Sequence, residues 1–271
     1  MRALFKSIVV AATTTVIAFG AASQAGAGVI EDIQQRGKMI VGLSTFVPWA
    51  MRAKSGELIG FEIDVANQLA QDMGVQVEFV PTAFDGIVPA LQAKKFDLII
   101  TGMALKPKRN LSVNFTNPYA YLKVGMAANK AKADKDGLKS LEDWNSPKVV
   151  LTIKRGTAPG ETVSRLFPKA KLRQFDDDAQ ALQDVLNGNA HGFLTSEPKP
   201  THYVLDNPDV LFHPFGIGPW DPTASSIAVR KGDPDALNFL NNWILYRGLD
   251  GWLEKTHDKW FKTRDWKALV Q

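Results

Sequence analysis

Residues 60–80 read GFEIDVANQLAQDMGVQVEFV, a stretch that predicts a helix followed directly by a strand. Apolar residues recur in it at the spacing of one helical face, namely Ile63, Ala66, Leu69, Ala70 and Met73. Gly74 then suits the left-handed position that ends a helix, and Gln76–Val80 has the composition of a strand. The apolar run MIVGL, Met39–Leu43, predicts another strand in front of the helix. Together these patterns predict a β-α-β unit, the building block of α/β proteins.

The alternation of strand and helix patterns continues along the chain. FDLIITG, Phe96–Gly102, predicts a third strand, and a second series begins with KVVLTI, Lys148–Ile153. That series continues with a strand predicted over Lys171–Phe175 and a helix predicted over Asp178–Asn187. The charged run between the two series, Lys130–Gly137, predicts a solvated surface loop.

The two series of patterns predict two lobes. We therefore expect an α/β fold in which each lobe is a mainly parallel sheet flanked by helices. Lobe one is predicted to comprise residues 29–124 plus 225–271, and lobe two residues 125–224.

The first 27 residues have the pattern of a cleaved secretory signal peptide. Arg2 and Lys6 precede a mostly apolar stretch over residues 7–22, and small residues with an A-x-A pattern end at Ala27. The apolar stretch is shorter than the roughly 20 residues that a membrane anchor needs, although retention as an anchor is the alternative. We therefore expect export to the periplasm, with cleavage close to Ala27.

Charge and cysteine content exclude several classes of function. The formal net charge is +4, part of it lies in the leader, and no block of like charges indicates nucleic-acid binding. The absence of cysteine excludes disulfides, thiolate metal sites and cysteine nucleophiles. The four histidines lack metal-ligand spacing, and P-loop, dinucleotide and nucleophile-elbow motifs are absent. We therefore predict no metal and no cofactor.

Two segments have the composition of an anion-binding site. TGMALKPKRN, Thr101–Asn110, places Arg109 on a short turn after a buried strand, and a guanidinium group matches a planar carboxylate. A surface ion pair is the alternative role for Arg109. GTAPGE, Gly156–Glu161, either offers backbone N–H groups at the start of a helix or is a plain strand-to-helix turn.

The order of segments resembles the solute-binding proteins of polar amino-acid ABC transporters, family 3, across essentially the whole mature chain. The segments that carry the resemblance are GLSTFVPWA, GELIGFEIDVANQLAQDMGV, FDGIVPALQAKKFDLIITGM, KPKRNLSVNFTNPYAY, VVLTIKRGTAP, FDDDAQALQDVLNGNAHGFLTSEP and GWLEKTHDKWF. Each segment is weakly specific alone, whereas seven in the same order and spacing are specific. The resemblance implies two lobes joined by two crossovers, with a ligand cleft that closes by hinge bending.

The resemblance also implies which residues bind the ligand. The residue that matches the family's carboxylate-binding arginine is Arg109. The other matching positions are Thr101, Gly102 and Ala104 for backbone or hydroxyl contacts, Phe46, Trp49 and Phe84 for the pocket walls, and Gly156, Thr157 and Ala158 for N–H donors.

The chain departs from the family where an amino group would be recognised. Many members have serine or threonine where this chain has Ala104, and the neutral Ser44-Thr45 pair replaces an acidic residue. Ser196 matches the aspartate that commonly holds the ligand's α-amino group. The adjacent Glu197 either supplies the missing negative charge or is a helix-start carboxylate.

The resemblance predicts a receptor that captures an amino acid, or a related small organic acid, and delivers it to a membrane-embedded ABC permease. We expect a monomer that catalyses no reaction. The alternative on the same fold is a periplasmic cyclohexadienyl dehydratase, for which Glu197 is the only obvious acid in the pocket. A sensory module is a third class, which the lack of an attached kinase or cyclase segment disfavours.

Overall fold

A computed structural model describes residues 28–270, and the predicted signal peptide lies outside the described residues. The helices are α1 Val29–Arg36, α2 Phe61–Asp72, α3 Ile87–Gln92, α4 Pro107–Asn110, α5 Lys130–Lys135, α6 Leu141–Trp144, α7 Pro159–Leu166, α8 Asp178–Leu186, α9 Lys199–Asp206, α10 Pro234–Leu249, α11 Trp252–Phe261 and α12 Lys267–Val270. The strands are β1 Lys38–Leu43, β2 Met51–Arg52, β3 Leu58–Ile59, β4 Gln76–Pro81, β5 Leu98–Ile99, β6 Asn114–Phe115, β7 Ala120–Asn129, β8 Val150–Lys154, β9 Lys171–Phe175, β10 Gly192–Ser196, β11 Leu211–Phe212, β12 Trp220–Ser225 and β13 Ala228–Val229. None of the helices within residues 28–270 is long and apolar enough to cross a membrane.

Lobe one is built on a sheet with the strand order β4-β1-β5-β13-β6. Strand β1 lies between β4 and β5 and is parallel to both, so that Val41 faces Phe79 on one side and Leu98 on the other. A side chain at Gly42 would lie 2.4 Å from the Phe96 ring, so that glycine is needed where this ring covers the strand. Parallel β1 and β5 end at the same edge of the sheet, which brings the loops after them together.

Lobe two is built on a sheet with the order β11-β7-β10-β8-β9, and β12 also pairs with β7. Strand β8 is parallel to β9 and β10, as in the other lobe, so the loop after β8 also opens at a carboxyl edge. The long strand β7 is antiparallel to β10, β11 and β12. The predicted α/β class with two lobes is confirmed. Both sheets are mixed where mainly parallel sheets were predicted, because β13 is antiparallel to β5 and β6 in lobe one and β7 adds antiparallel neighbours to lobe two.

The chain passes between the lobes along two paired strands. At the start of β7, Ala120 pairs with Ser225 at the end of β12, and Ser225 also forms an isolated bridge with Ala104. The predicted boundaries, 124/125 and 224/225, fall inside these two strands. We keep the division into 29–124 plus 225–271 and 125–224 as a proposal, with the paired strands as the hinge.

Each lobe has its own apolar core. In lobe one, helices α2 and α10 bury side chains such as Phe61, Leu69 and Leu240 against the sheet. In lobe two, Trp144 and Phe167 are the largest side chains of the core beneath β8. Separate cores let the lobes move as rigid bodies about a hinge.

The surface loop predicted over Lys130–Gly137 is wrong, because this segment contains helix α5. The Asn129 side chain accepts a hydrogen bond from the backbone N–H of Lys132, at 3.0 Å, and caps the helix start. Ala133 is buried against lobe two, so one small apolar residue anchors a helix whose charged side chains face solvent. The prediction of a loop rested on charge alone and did not take into account that lysine and alanine are good helix formers.

Candidate ligand-binding cleft

A small cavity lies between the two lobes, at the carboxyl edges of both sheets. The space open to the centres of water-sized molecules is about 40 Å³. The residues that line it are Phe46, Phe84, Thr101, Gly102, Ala104, Arg109, Leu122, Lys154, Thr157, Ala158, Pro159, Thr195 and Ser196. Because both lobes contribute to the wall, the cavity forms fully only when the lobes approach each other.

Polar contacts join the lobes on either side of the cavity. Arg109 donates from Nη2 to the carbonyl oxygen of Gly156 at 2.8 Å. Lys154 donates from Nζ to the carbonyl oxygen of Thr45 at 2.9 Å. Gly156 has a φ of +73° and approaches Asp85 so closely that a Cβ would lie 3.2 Å from the Asp85 Cβ. The structure therefore has the cleft closed.

Arg109 is held by its helix and by an aromatic ring. It lies on α4, which begins at Pro107, and it donates from Nη1 to the carbonyl oxygen of Ala104 at 2.8 Å. The guanidinium carbon lies 5.3 Å from the centre of the Phe84 ring. Burial lowers the pKa of Arg109 and Glu161 raises it, and a guanidinium stays charged at any physiological pH. Two of its five N–H donors are engaged with carbonyl groups of the described residues, and the other three have no partner in that part of the chain and can meet a ligand.

Lys154 is a second cation in the wall, and sequence reasoning missed it. It is the last residue of β8 and is buried, and its Nζ donates to Ser44 Oγ at 3.0 Å as well as to Thr45. Burial lowers the pKa of Lys154, whereas the charges of Asp178, Asp177 and Asp85 raise it. The available signal was a lysine at the carboxyl end of a buried strand, directly before the Gly156 turn.

The floor of the cavity is formed by the loop after β5. Thr101 Oγ1 accepts from the backbone N–H of Ser44 at 2.7 Å and donates to the Ser44 carbonyl at 3.1 Å. Gly102 has a φ of +62°, and a Cβ there would lie 3.1 Å from the indole ring of Trp49. Trp49 is therefore packed beneath Gly102, where it supports the floor without lining the cavity.

A carboxyl group is buried beneath the same loop. Glu62, on α2, is 1% exposed and accepts a hydrogen bond from the Tyr119 hydroxyl at 2.6 Å. Burial raises its pKa to about 8, although the Tyr119 hydroxyl and the Gly102 amide favour the ionised form. A pKa of about 8 keeps the Glu62 carboxyl mostly protonated, and so mostly uncharged, at pH 7.

Ser196 and Glu197 lie at the end of β10 but in different surroundings. Ser196 lines the cavity. The Glu197 carboxylate lies outside the wall and accepts from Thr201 Oγ1 at 2.8 Å and from the Gly218 N–H at 3.2 Å. Its position matches the helix-start interpretation, because Thr201 is in the first turn of α9.

A buried ion pair lies against the ring of Phe46. Lys199 and Asp178 form this pair, and both residues are less than 9% exposed. The Lys199 Nζ also lies 4.0 Å from the centre of the Phe46 ring. Burial lowers the pKa of Lys199 and Asp178 raises it. The charge of Lys199 is thus compensated inside lobe two.

The structure brings together most of the residues proposed for ligand binding. Nine of them line the cavity: Phe46, Phe84, Thr101, Gly102, Ala104, Arg109, Thr157, Ala158 and Ser196. Trp49, Gly156 and Glu197 lie next to it without lining it. The lining residues that sequence reasoning missed are Leu122, Lys154, Pro159 and Thr195. Their ligand contacts stay predictions.

Comparison with known proteins identifies the family. The sequence profile of the bacterial extracellular solute-binding proteins, family 3, matches residues 39–263. The chain belongs to this family. Among family members, it is 28% identical to the L-cystine-binding protein TcyJ of Escherichia coli strain K12, over 93% of each chain. It is also 28% identical to the ABC transporter arginine-binding protein 1 of the same strain, over 83% of this chain and 90% of that protein.

Solved structures of family 3 proteins have the same two-lobe fold. A binding component of an ABC transporter from Wolinella succinogenes, complexed with lysine, is 35% identical, with a TM-score of 0.79 over 86% of this chain and 99% of that one. An ancestral amino acid-binding protein, described as a precursor of cyclohexadienyl dehydratase, is 37% identical, with a TM-score of 0.77 over 87% and 100%. The predicted family and fold are both confirmed.

Proposed function

We propose that this family 3 protein is a periplasmic receptor that captures a small solute carrying a carboxylate and delivers it to an ABC transporter permease. The observation that carries the proposal is the position of Arg109 in the wall of a closed cavity between two lobes. Three of its N–H donors are unengaged by any residue from 28 to 270. A guanidinium in that setting matches a carboxylate, because two parallel N–H groups can meet its two oxygens.

The relatives support the same class of ligand. Their names and descriptions refer to cystine, arginine and lysine, which share an α-carboxylate and differ in their side chains. A receptor for an amino acid or a related small organic acid is therefore the function we assign. The relatives named as ABC transporter proteins make a membrane permease the partner.

The dehydratase alternative needs an acid that donates a proton in the cavity. Within residues 28–270, no aspartate or glutamate lines the cavity, and Glu197 is engaged by Thr201 and Gly218. We therefore propose binding without catalysis. Incubation with prephenate and with arogenate tests this proposal. If the aromatic product forms faster with the protein than without it, the dehydratase alternative is correct.

The periplasmic location depends on removal of the leader, for which the charged start and the A-x-A pattern are the grounds. We expect the mature protein to begin near Gly28. Amino-terminal sequencing of the protein from a periplasmic fraction measures this directly. A protein that begins at Met1 in that fraction would contradict the proposal.

Hinge closure is the motion that the receptor needs. Because the lobes have separate cores and are joined by paired strands, ligand should draw them together and release should part them. Small-angle scattering should therefore give a smaller radius of gyration at saturating ligand than in the ligand-free protein. An identical radius of gyration in both samples would contradict hinge closure on the ligand.

A further inference from the structure

The charge of the cavity wall is unusual for a site that receives an amino acid. Arg109 and Lys154 both line the cavity, one from each lobe. Within residues 28–270, no aspartate or glutamate is part of the wall. Two cations thus face the ligand, with no negative group in the wall to balance them.

Lys154 has capacity left for an anion. Its ammonium group carries three N–H donors, and Ser44 Oγ and the Thr45 carbonyl accept two of them. Both acceptors are neutral, so the positive charge of Lys154 has no ion-pair partner among the described residues. A buried cation is stabilised most by an anion that enters with the ligand.

Four acids near the cavity do not line it. Asp178 pairs with Lys199, and Asp177 accepts from the Gln180 N–H at 2.8 Å as the cap of α8. Asp85 lies beside Gly156 and is not part of the wall. Glu62 lies under Gly102 and is neutral, with its pKa raised by burial to about 8. These acids moderate the potential without supplying a partner for a ligand ammonium group.

We propose that the cavity binds a small dicarboxylate without an ammonium group, with one carboxylate on Arg109 and the other on Lys154. This assignment rests on the proposed receptor function and specifies its ligand. An ammonium group in the cavity would find neutral acceptors such as Ser196, and it would be repelled by Lys154.

Calorimetry on the purified full-length protein can test the charge preference with matched pairs of ligands. Succinate and aspartate differ by one ammonium group, as do glutarate and glutamate. We expect the better dicarboxylate to bind at least 10-fold more tightly than its amino counterpart, and arginine and lysine not to bind. Equal or tighter binding of aspartate or glutamate would overturn the dicarboxylate proposal.

A substitution at Lys154 tests the second contact. Lys154→Met should weaken the dicarboxylate at least 10-fold, and by a larger factor than it weakens butyrate, which has only one carboxylate and reports the effect on closure alone. Arg155→Met is the matched control, because Arg155 is the next residue, is exposed and pairs with Asp176 at 3.1 Å. Lys154→Arg retains the charge and should restore part of the loss, and thermal unfolding of each variant shows whether it is folded. An unchanged dicarboxylate affinity in folded Lys154→Met would overturn the role of Lys154.

Different results would contradict the receptor function and the dicarboxylate assignment. If an amino acid binds in an Arg109-dependent way and dicarboxylates do not, the receptor function stands and the dicarboxylate assignment is wrong. If neither carboxylates nor amino acids bind the wild-type protein, the receptor function itself is wrong, and the assignment falls with it.

Discussion

Replacing Arg109 with alanine is expected to weaken binding of the carboxylate ligand about 150- to 5000-fold, roughly 3 to 5 kcal/mol. The reason is that a charge-assisted pair inside a closed cavity is worth several times a surface ion pair, and alanine leaves the ligand carboxylate buried without a partner. Arg109→Lys should also bind poorly, because an ammonium group is a point charge that lacks the planar fork. Titration calorimetry on both variants measures the loss.

Arg109 also contacts Gly156 across the cleft, so weaker closure could imitate a lost ligand contact. Lys106→Ala is the control for this effect. Lys106 forms an ion pair with Glu161 of lobe two but does not line the cavity. Since Glu161 is 64% exposed, we expect at most a few-fold change in affinity from Lys106→Ala. If Arg109→Ala binds the ligand as tightly as the wild type, Arg109 does not bind the ligand carboxylate.

Replacing Glu62 with glutamine is expected to abolish a loss of stability that the wild-type protein shows as pH rises. The pKa of Glu62 is about 8 in the folded protein, against a reference value of 4.5. Between these values the unfolded chain releases the proton first, so the folded state binds more protons and its stability falls with increasing pH. Between pH 5 and pH 7.5 the loss due to Glu62 is on the order of 3 kcal/mol.

The measurement is urea unfolding of wild type and Glu62→Gln across pH 5 to 8.5, without ligand. Other groups also contribute to the pH dependence in this range, among them His202, which takes up a proton near its ordinary pKa of 6.5 only in the unfolded chain because burial lowers its folded-state pKa to about 4. They are common to both proteins, so the difference between the two curves isolates Glu62. Glu78→Gln is the exposed control, since Glu78 is half-exposed on β4 and pairs with Lys38. Parallel curves for wild type and Glu62→Gln would show that Glu62 is ionised in the folded state.

A neutral Glu62 also bears on the ligand site. Its carboxyl group lies close to Gly102, whose loop forms the floor of the cavity. Ionisation above pH 8 would place a negative charge under that floor, close to where the ligand's own negative charge must lie. Binding of an anion should therefore weaken in alkaline solution even while Arg109 and Lys154 keep their positive charges.

The regular elements of both lobes were predictable because their signals are local. Strand β9 has the predicted bounds, Lys171–Phe175, and α8 ends at Leu186, one residue before the predicted end. Helix α2 follows the apolar spacing after Gly60, and Gly74 has the left-handed φ of +69° that its position suggested. Each of these patterns is contained in about 10 to 15 neighbouring residues, so no knowledge of distant contacts was needed.

Local patterns failed where a few contacts outweigh composition. Helix α5 was predicted as a loop from its charge, yet the Asn129 cap and one buried alanine are enough to hold it. For helix α9, the sequence predicted only a helix start at Glu197, as one of two alternatives, and no bounds. This helix begins next to Glu197, whose carboxylate accepts from Thr201 Oγ1 and from the Gly218 N–H of a distant loop.

The fold, the family and the position of Arg109 in the cleft thus follow from the order of motifs along the chain. The charge of the site does not, because it depends on distances between groups that are far apart in sequence. Lys154 meets Ser44, which lies 110 positions away in the sequence, and Glu62 meets Tyr119, which lies 57 positions away. A lysine at the end of a strand and a glutamate on a helix look like ordinary surface residues in the sequence. Burial by the opposite lobe or the adjoining strand turns the first into a cation facing the cavity and the second into a neutral acid, since desolvation is a property of the assembled fold.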